Sequence, residues 1–173
     1  MNVLDSEKRR VFKLLIVLLE YVYIHDKTLT KEQFEVKLSD LVLKAVESDY
    51  ESMKKELSTG DKSGEITASS LIKLVQVLRD KVEDIFFYSS ALPDYCNFEV
   101  RSLKIYCNRL NADCEKVLNS TGFSGYQMLL FCSKLKELND QILEYFEQED
   151  LVTNKIQLLV PEEINRGYEG RLF

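Results

Sequence analysis

The sequence predicts an all-α chain: a mostly antiparallel five-helix bundle with an apolar N-terminal helix at its centre and an irregular C-terminal tail. Three observations carry this expectation. Glycine and proline are scarce, 6 and 2 among 173 residues, too few for the frequent turns that a sandwich or barrel of short strands requires. Apolar residues recur at spacings of three and four through most of the chain, the period of one helix face. Two stretches also open with the same start signal, a hydroxyl residue followed three positions later by glutamine.

The first helix is expected near residues 6–25. Between Val11 and Ile24 only Lys13 and Glu20 are polar, so its apolar surface wraps most of the circumference and reads as enclosed by other helices. A membrane span needs about 20 apolar residues, and this shorter, twice-charged run is not read as one. If the helix is central, a charge at Leu15 or Leu18 should unfold the protein.

The second helix is expected near 30–58. Thr30 and Gln33 form a capping box, with Leu29 and Phe34 as its hydrophobic staple. Phe34, Leu38, Leu41, Ala45, Val46, Tyr50, Met53 and Leu57 continue the helical period until Ser58-Thr59-Gly60. The third, near 67–91, has Thr67 or Ser69 as its cap and a stripe of Leu71, Leu74, Val75, Leu78, Val82, Ile85 and Phe86, and Pro93 closes it. The fourth, near 97–120, starts at Asn97. Its Val100, Leu103, Cys107, Leu110, Cys114 and Val117 alternate by three and four as in a coiled-coil seam. Gly122 suits the left-handed position past its end. The fifth, near 124–149, repeats the signature of the second through Ser124, Gln127, Phe123 and Met128, with Phe131, Cys132, Leu135, Leu138, Ile142 and Tyr145 extending its stripe.

After Asp150 the periodicity stops, which divides the chain into a bundle of residues 1–150 and a tail of residues 151–173. The tail keeps Leu158, Leu159, Val160, Ile164, Tyr168, Leu172 and Phe173, more apolar surface than a disordered tail carries. Leu158 to Val160 are expected to pack on the bundle, and Tyr168 to Phe173 to meet a partner.

Patterns that would carry chemistry are weak. The net charge of −6 opposes non-specific attraction to nucleic acid, and Lys8-Arg9-Arg10 reads as a solvated first turn. Cys96, Cys107, Cys114 and Cys132 lack the paired spacing of a zinc site. The last three fall at helical spacing among apolar neighbours, as small core residues do, which leaves Cys96 as the expected most accessible thiol. The single histidine, His25 beside Asp26, reads as a loop residue at a helix end rather than a general base. The loop Gly60 to Glu65 fails the phosphate-loop pattern. As a calcium loop it places Thr59 and Ser70 where the two strongest ligands belong. No Glu-x-x-His pair is present for a di-iron bundle. Glu144, Glu147, Glu149 and Asp150 crowd the expected end of the fifth helix, where the helix dipole disfavours them; they read as a solvated face, with a basic partner surface as the alternative.

No catalytic residue, cofactor or metal ligand is therefore assigned, and the chain is not expected to be an enzyme. The expected function is a protein–protein interaction module, a helical adaptor or assembly subunit, with self-association among its options. Phe87, Tyr88 and Tyr95 are candidate partner-binding residues because Phe86-Phe87-Tyr88 cannot all face one core. Tyr168, Leu172 and Phe173 join them from the tail. The alternative is a nucleic-acid-associated factor using Lys8, Arg9 and Arg10 with Arg101, Lys104 and Arg109. With no secretory leader pattern and no disulfide framework, an intracellular setting, cytoplasmic or nuclear, is expected.

Overall fold

The computed structural model describes residues 10, 13, 14, 16–18, 20, 21, 29–58, 66–156 and 158. Four long helices carry the fold: α1 (Lys31–Leu57), α2 (Ala68–Ser89), α3 (Phe98–Asn119) and α4 (Gly125–Tyr145). A 3-10 turn at Asp94–Cys96 links α2 to α3, and a short α5 (Gln148–Thr153) follows α4. The described residues between 10 and 21 are also helical, and no strand occurs among the described residues. The protein is all-α.

Both capping boxes form. The Thr30 hydroxyl accepts from the Gln33 amide at 3.2 Å while the Gln33 side chain accepts from the Thr30 amide at 3.0 Å. Ser124 and Gln127 repeat the exchange at 3.2 and 3.0 Å. Thr67 rather than Ser69 caps α2, accepting from the Ser70 amide. Asn97 precedes α3 in a left-handed conformation, φ 45°, and its side chain makes no cap bond. Gly122 takes the expected left-handed turn, φ 67°, and its amide donates to the Val117 carbonyl at 2.7 Å.

Side-chain pairs fix the directions of the helices. The Ser70 hydroxyl donates to the Leu57 carbonyl and Lys81 pairs with Asp49, so α1 and α2 run antiparallel. Arg79 meets Glu137 and Phe86 stacks on Tyr145, so α2 and α4 run parallel. Likewise Asp49 meets Tyr106 and Lys54 meets Asp113, making α1 and α3 parallel. Consecutive helices alternate in direction, but α4 packs chiefly on α2 instead of on its sequence neighbour α3. The connector at 120–124 carries the chain across the bundle.

The centre of the bundle is α2. Leu71, Leu74 and Val75 are wholly buried, and Leu78, Val82 and Ile85 nearly so. They meet Leu103, Cys107 and Leu110 of α3 and Phe131, Leu135, Leu138 and Ile142 of α4 in one core. Each large side chain buried there contributes roughly 1.5–3 kcal/mol. The expectation of a central N-terminal helix is overturned among its described residues. Ile16 is buried, in a separate small cluster with Phe34, Leu38, Leu92 and Cys96. In contrast, Leu14, Val17, Leu18 and Tyr21 are 55, 59, 59 and 61% exposed. A central helix must be covered on every side, and these four side chains face solvent; the core is instead organised around the buried stripe of α2, whose other face carries the exposed Lys73, Gln76, Asp80 and Glu83.

Two smaller expectations also change. The fifth helix ends at Tyr145, and the chain extends through Phe146 before α5 begins. Glu147 is then the residue preceding a new helix, with Glu149 and Asp150 in its first turn, where a positive dipole end favours carboxylates. The acidic crowding therefore has an internal explanation. The bundle also does not stop at residue 150: Leu151 and Ile156 are buried in the main core, and Leu158 packs against it.

These placements give opposite outcomes for two substitutions. Leu74→Ala should cost about 2–5 kcal/mol in urea unfolding. Leu18→Asp, measured at low protein concentration, should leave the midpoint close to that of the parent protein, because a site exposed in the single chain pays little desolvation.

Candidate functional site

The polar features of the bundle lie between α1 and α3. Asp113 is 3% exposed, and its two carboxylate oxygens are held from α1. The Tyr50 hydroxyl donates to Oδ2 at 2.7 Å and the Lys54 ammonium donates to Oδ1 at 2.9 Å. Burial, reinforced by that bond to a carboxylate, pushes the Tyr50 phenol far above its ordinary range. The arrangement is a structural lock: a buried carboxylate with both oxygens satisfied fixes the register of two helices. On the surface beside it, Arg109 binds Glu51 at 2.7 Å and Glu47 at 3.7 Å.

One turn further toward the N-terminus of α1, a groove opens between α1 and α2, with Phe98 and Tyr106 of α3 at its floor. Its volume is about 360 Å³, and Val42, Val46, Ile85, Leu92 and Phe98 supply its apolar wall. Ala45 and Tyr88 also line it, both exposed. Asp49, Lys81, Asp84 and Tyr106 form the polar side. The Tyr106 hydroxyl donates to Asp49 at 2.9 Å, and Lys81 stands 3.4 Å from the same oxygen. Asp84 is exposed and enters no ion pair among the described residues. A groove of this kind, apolar with a few converging polar groups, can hold an apolar side chain or small ligand and orient it by charge.

The sequence-nominated aromatics do not converge. Tyr88 is 41% exposed at the groove. Phe87 is half-buried and meets the Tyr88 ring edge-on at 5.2 Å. Tyr95, also half-buried, lies away from the groove and donates its hydroxyl to Glu20 of the N-terminal helix at 2.9 Å. Phe86 turns inward between Tyr145 and Phe146, with ring centroids 4.3 and 5.0 Å away. Tyr168, Leu172 and Phe173 lie outside the described residues, as do Lys8, Arg9, His25 and the loop 59–65. Of the basic residues considered for nucleic acid, Arg10 and Lys104 are exposed and Arg101 is half-buried. The charge of Arg109 is committed to Glu47 and Glu51.

Sequence reasoning missed Asp49, Asp84, Lys81 and Tyr106. Each is unremarkable along its own helix, and they become a set only when α1, α2 and α3 meet. It also missed Asp113, whose one signal was its position next to Cys114 in the seam of α3. Among the described residues no group of His, Cys, Asp and Glu could hold a metal ion. Comparison with protein-family models, curated proteins and solved structures finds no match for this chain.

The four cysteines are free of disulfides, and burial suppresses their reactivity. It pushes the Cys107 thiol up to about 12. Cys114 also rises to about 12, through burial with smaller contributions from Glu115 and Cys132. Cys96, the thiol expected to be most accessible, is 2% exposed because the turn at Asp94–Cys96 seats it against Phe34 and Leu38. Alkylation of native protein should therefore reach Cys132, the half-buried thiol, first and Cys107 last, as peptide mapping would show. The raised thiols also set a pH dependence. Unfolded, they ionise near their ordinary 9.0; folded, Cys107 and Cys114 do so near 12. The folded chain then holds more protons, so stability is full below pH 9 and falls as pH rises toward 12. Urea midpoints across that range should decline, and less steeply in Cys107→Ala.

Proposed function

We propose that this chain is a non-catalytic protein–protein interaction module, a helical adaptor or assembly subunit whose contact site is the groove between α1 and α2. The observation that carries this reading is the groove itself: an apolar wall, the exposed Tyr88 ring, and Asp84 with no ion-pair partner among the described residues. Amphipathic aromatics beside apolar pockets are what interface anchors use. Free thiols suit an intracellular setting, cytoplasmic or nuclear. The partners in this reading are other proteins; among the described residues no helix is long and apolar enough to cross a membrane. The tail residues Tyr168, Leu172 and Phe173 remain part of the proposal as a second point of contact.

Photo-cross-linking tests the groove. A benzophenone amino acid at Tyr88 should capture a defined set of proteins that the same group at Glu115, exposed on α3, does not. Ala45→Phe, which fills the groove from an exposed helical position, should abolish that capture. The same proteins captured at both positions, or capture indifferent to Ala45→Phe, would remove the groove from the account.

A further inference from the structure

The N-terminal helix and the groove border the same small apolar cluster. Ile16 enters that cluster from the helix, and Val42, Leu92 and Phe98 belong both to it and to the groove wall. The outward side of the N-terminal helix is a contact surface in its own right. Leu14, Val17, Leu18 and Tyr21 follow the spacing of a single helical face, and each is more than half exposed. Large apolar side chains gathered in one exposed stripe mark an interaction site. Arg10 continues the same face at its N-terminal end and Lys13 borders it on one flank, both exposed.

The groove offers the complement of this helix. It has an apolar wall for an apolar stripe, and Asp84 and Asp49 stand where cations could meet them. Asp49 already faces Lys81, whereas Asp84 has no cation among the described residues. One side of the molecule thus carries both halves of a matched pair. Surfaces of that kind associate about a two-fold axis, each half contacting the opposite half of the other subunit. We infer that the occupant of the groove is the N-terminal helix of a second copy of this chain, docked reciprocally to give a symmetric dimer. This rests on the groove being a contact site and names what fills it. Arg10 and Lys13 approach the Asp84 side, and the Leu14–Tyr21 stripe covers the apolar wall. The net charge of −6 makes two copies repel each other at long range, so the local cations give the approach its direction.

Two-fold symmetry supplies a sharp test, because every substitution acts twice. Lys13→Glu would set like charges against each other at both contacts of a homodimer, and so would Asp84→Lys. Mixed together, the two variants would restore opposite charges at both contacts. Sedimentation velocity over a wide concentration range should show a dimer for the parent protein. Each variant alone should associate about tenfold or more weakly, and their equimolar mixture should recover the dimer. Both positions are exposed, and urea midpoints equal to the parent's at a concentration where the parent is monomeric would confirm that the variants fold. A parent protein that stays monomeric throughout overturns the inference, as does a dimer indifferent to both substitutions or a mixture that fails to recover. The photo-cross-linking at Tyr88 reports separately on the groove. Capture of other proteins there by a monomeric chain would leave the groove as a contact site and remove only the second copy as its occupant.

Discussion

Leu71, Leu74 and Val75 lie along consecutive turns of α2 and are wholly out of water. With Ala68, Ile72, Leu78, Val82 and Ile85 they form one broad stripe that α1, α3 and α4 must cover together, while Lys73, Gln76, Asp80 and Glu83 face solvent. Much else follows from this constraint. The chain turns at 120–124 and lays α4 along the same stripe, where α4 runs parallel to α2 and packs chiefly on it instead of on α3. With α2 filling the middle, α1 and α3 meet along one edge. There the Tyr50–Asp113–Lys54 lock sets their register, and the groove opens a short distance away. The N-terminal helix becomes an outer layer, seated through Ile16 and through the bond between Glu20 and Tyr95.

The groove and the lock show two uses of buried polarity. At Asp113 both oxygens have partners and the residue is almost closed to solvent. Removing either partner would leave a carboxylate under-solvated, the costly case for a buried charge. In the groove the same two kinds of residue, tyrosine and aspartate, meet as Tyr106 and Asp49, but the cluster reaches solvent and includes Asp84, a charge not matched by any described cation. The first arrangement stabilises a helix pair. The second leaves binding capacity unspent at a surface, which is why contact is assigned there.

Much of this architecture was legible because its signals are local. The exchange between Thr30 and Gln33, repeated by Ser124 and Gln127, needs only four consecutive residues. Gly122 marks a left-handed turn through backbone sterics alone. The seam from Leu103 to Val117 is a spacing, and it is buried as the spacing required. What could not be read were facts about which helices meet. The run from Val11 to Ile24 and the stripe of α2 both ask for enclosure, and no count of apolar residues says which one obtains it. Leu41 and Ala45 fit the period of α1 yet are exposed, because α1 is covered along a narrower strip than its pattern allows. The break at Phe146 carries no glycine or proline, so the acidic residues after it were assigned to the wrong end of a helix. The groove unites residues more than sixty positions apart, such as Val42 and Tyr106, and no motif spans that separation.

The central claim is that the core is organised around α2 while the N-terminal helix is an outer layer. Native-state hydrogen exchange on dilute protein tests it most directly, because amides in the last-opening core exchange only through global unfolding and an outer layer opens earlier. Amides of residues 71–78 should be protected to the full unfolding free energy, and those of residues 13–21 to clearly less. Equal, global protection of both segments would contradict the account and return the N-terminal helix to the centre of the bundle.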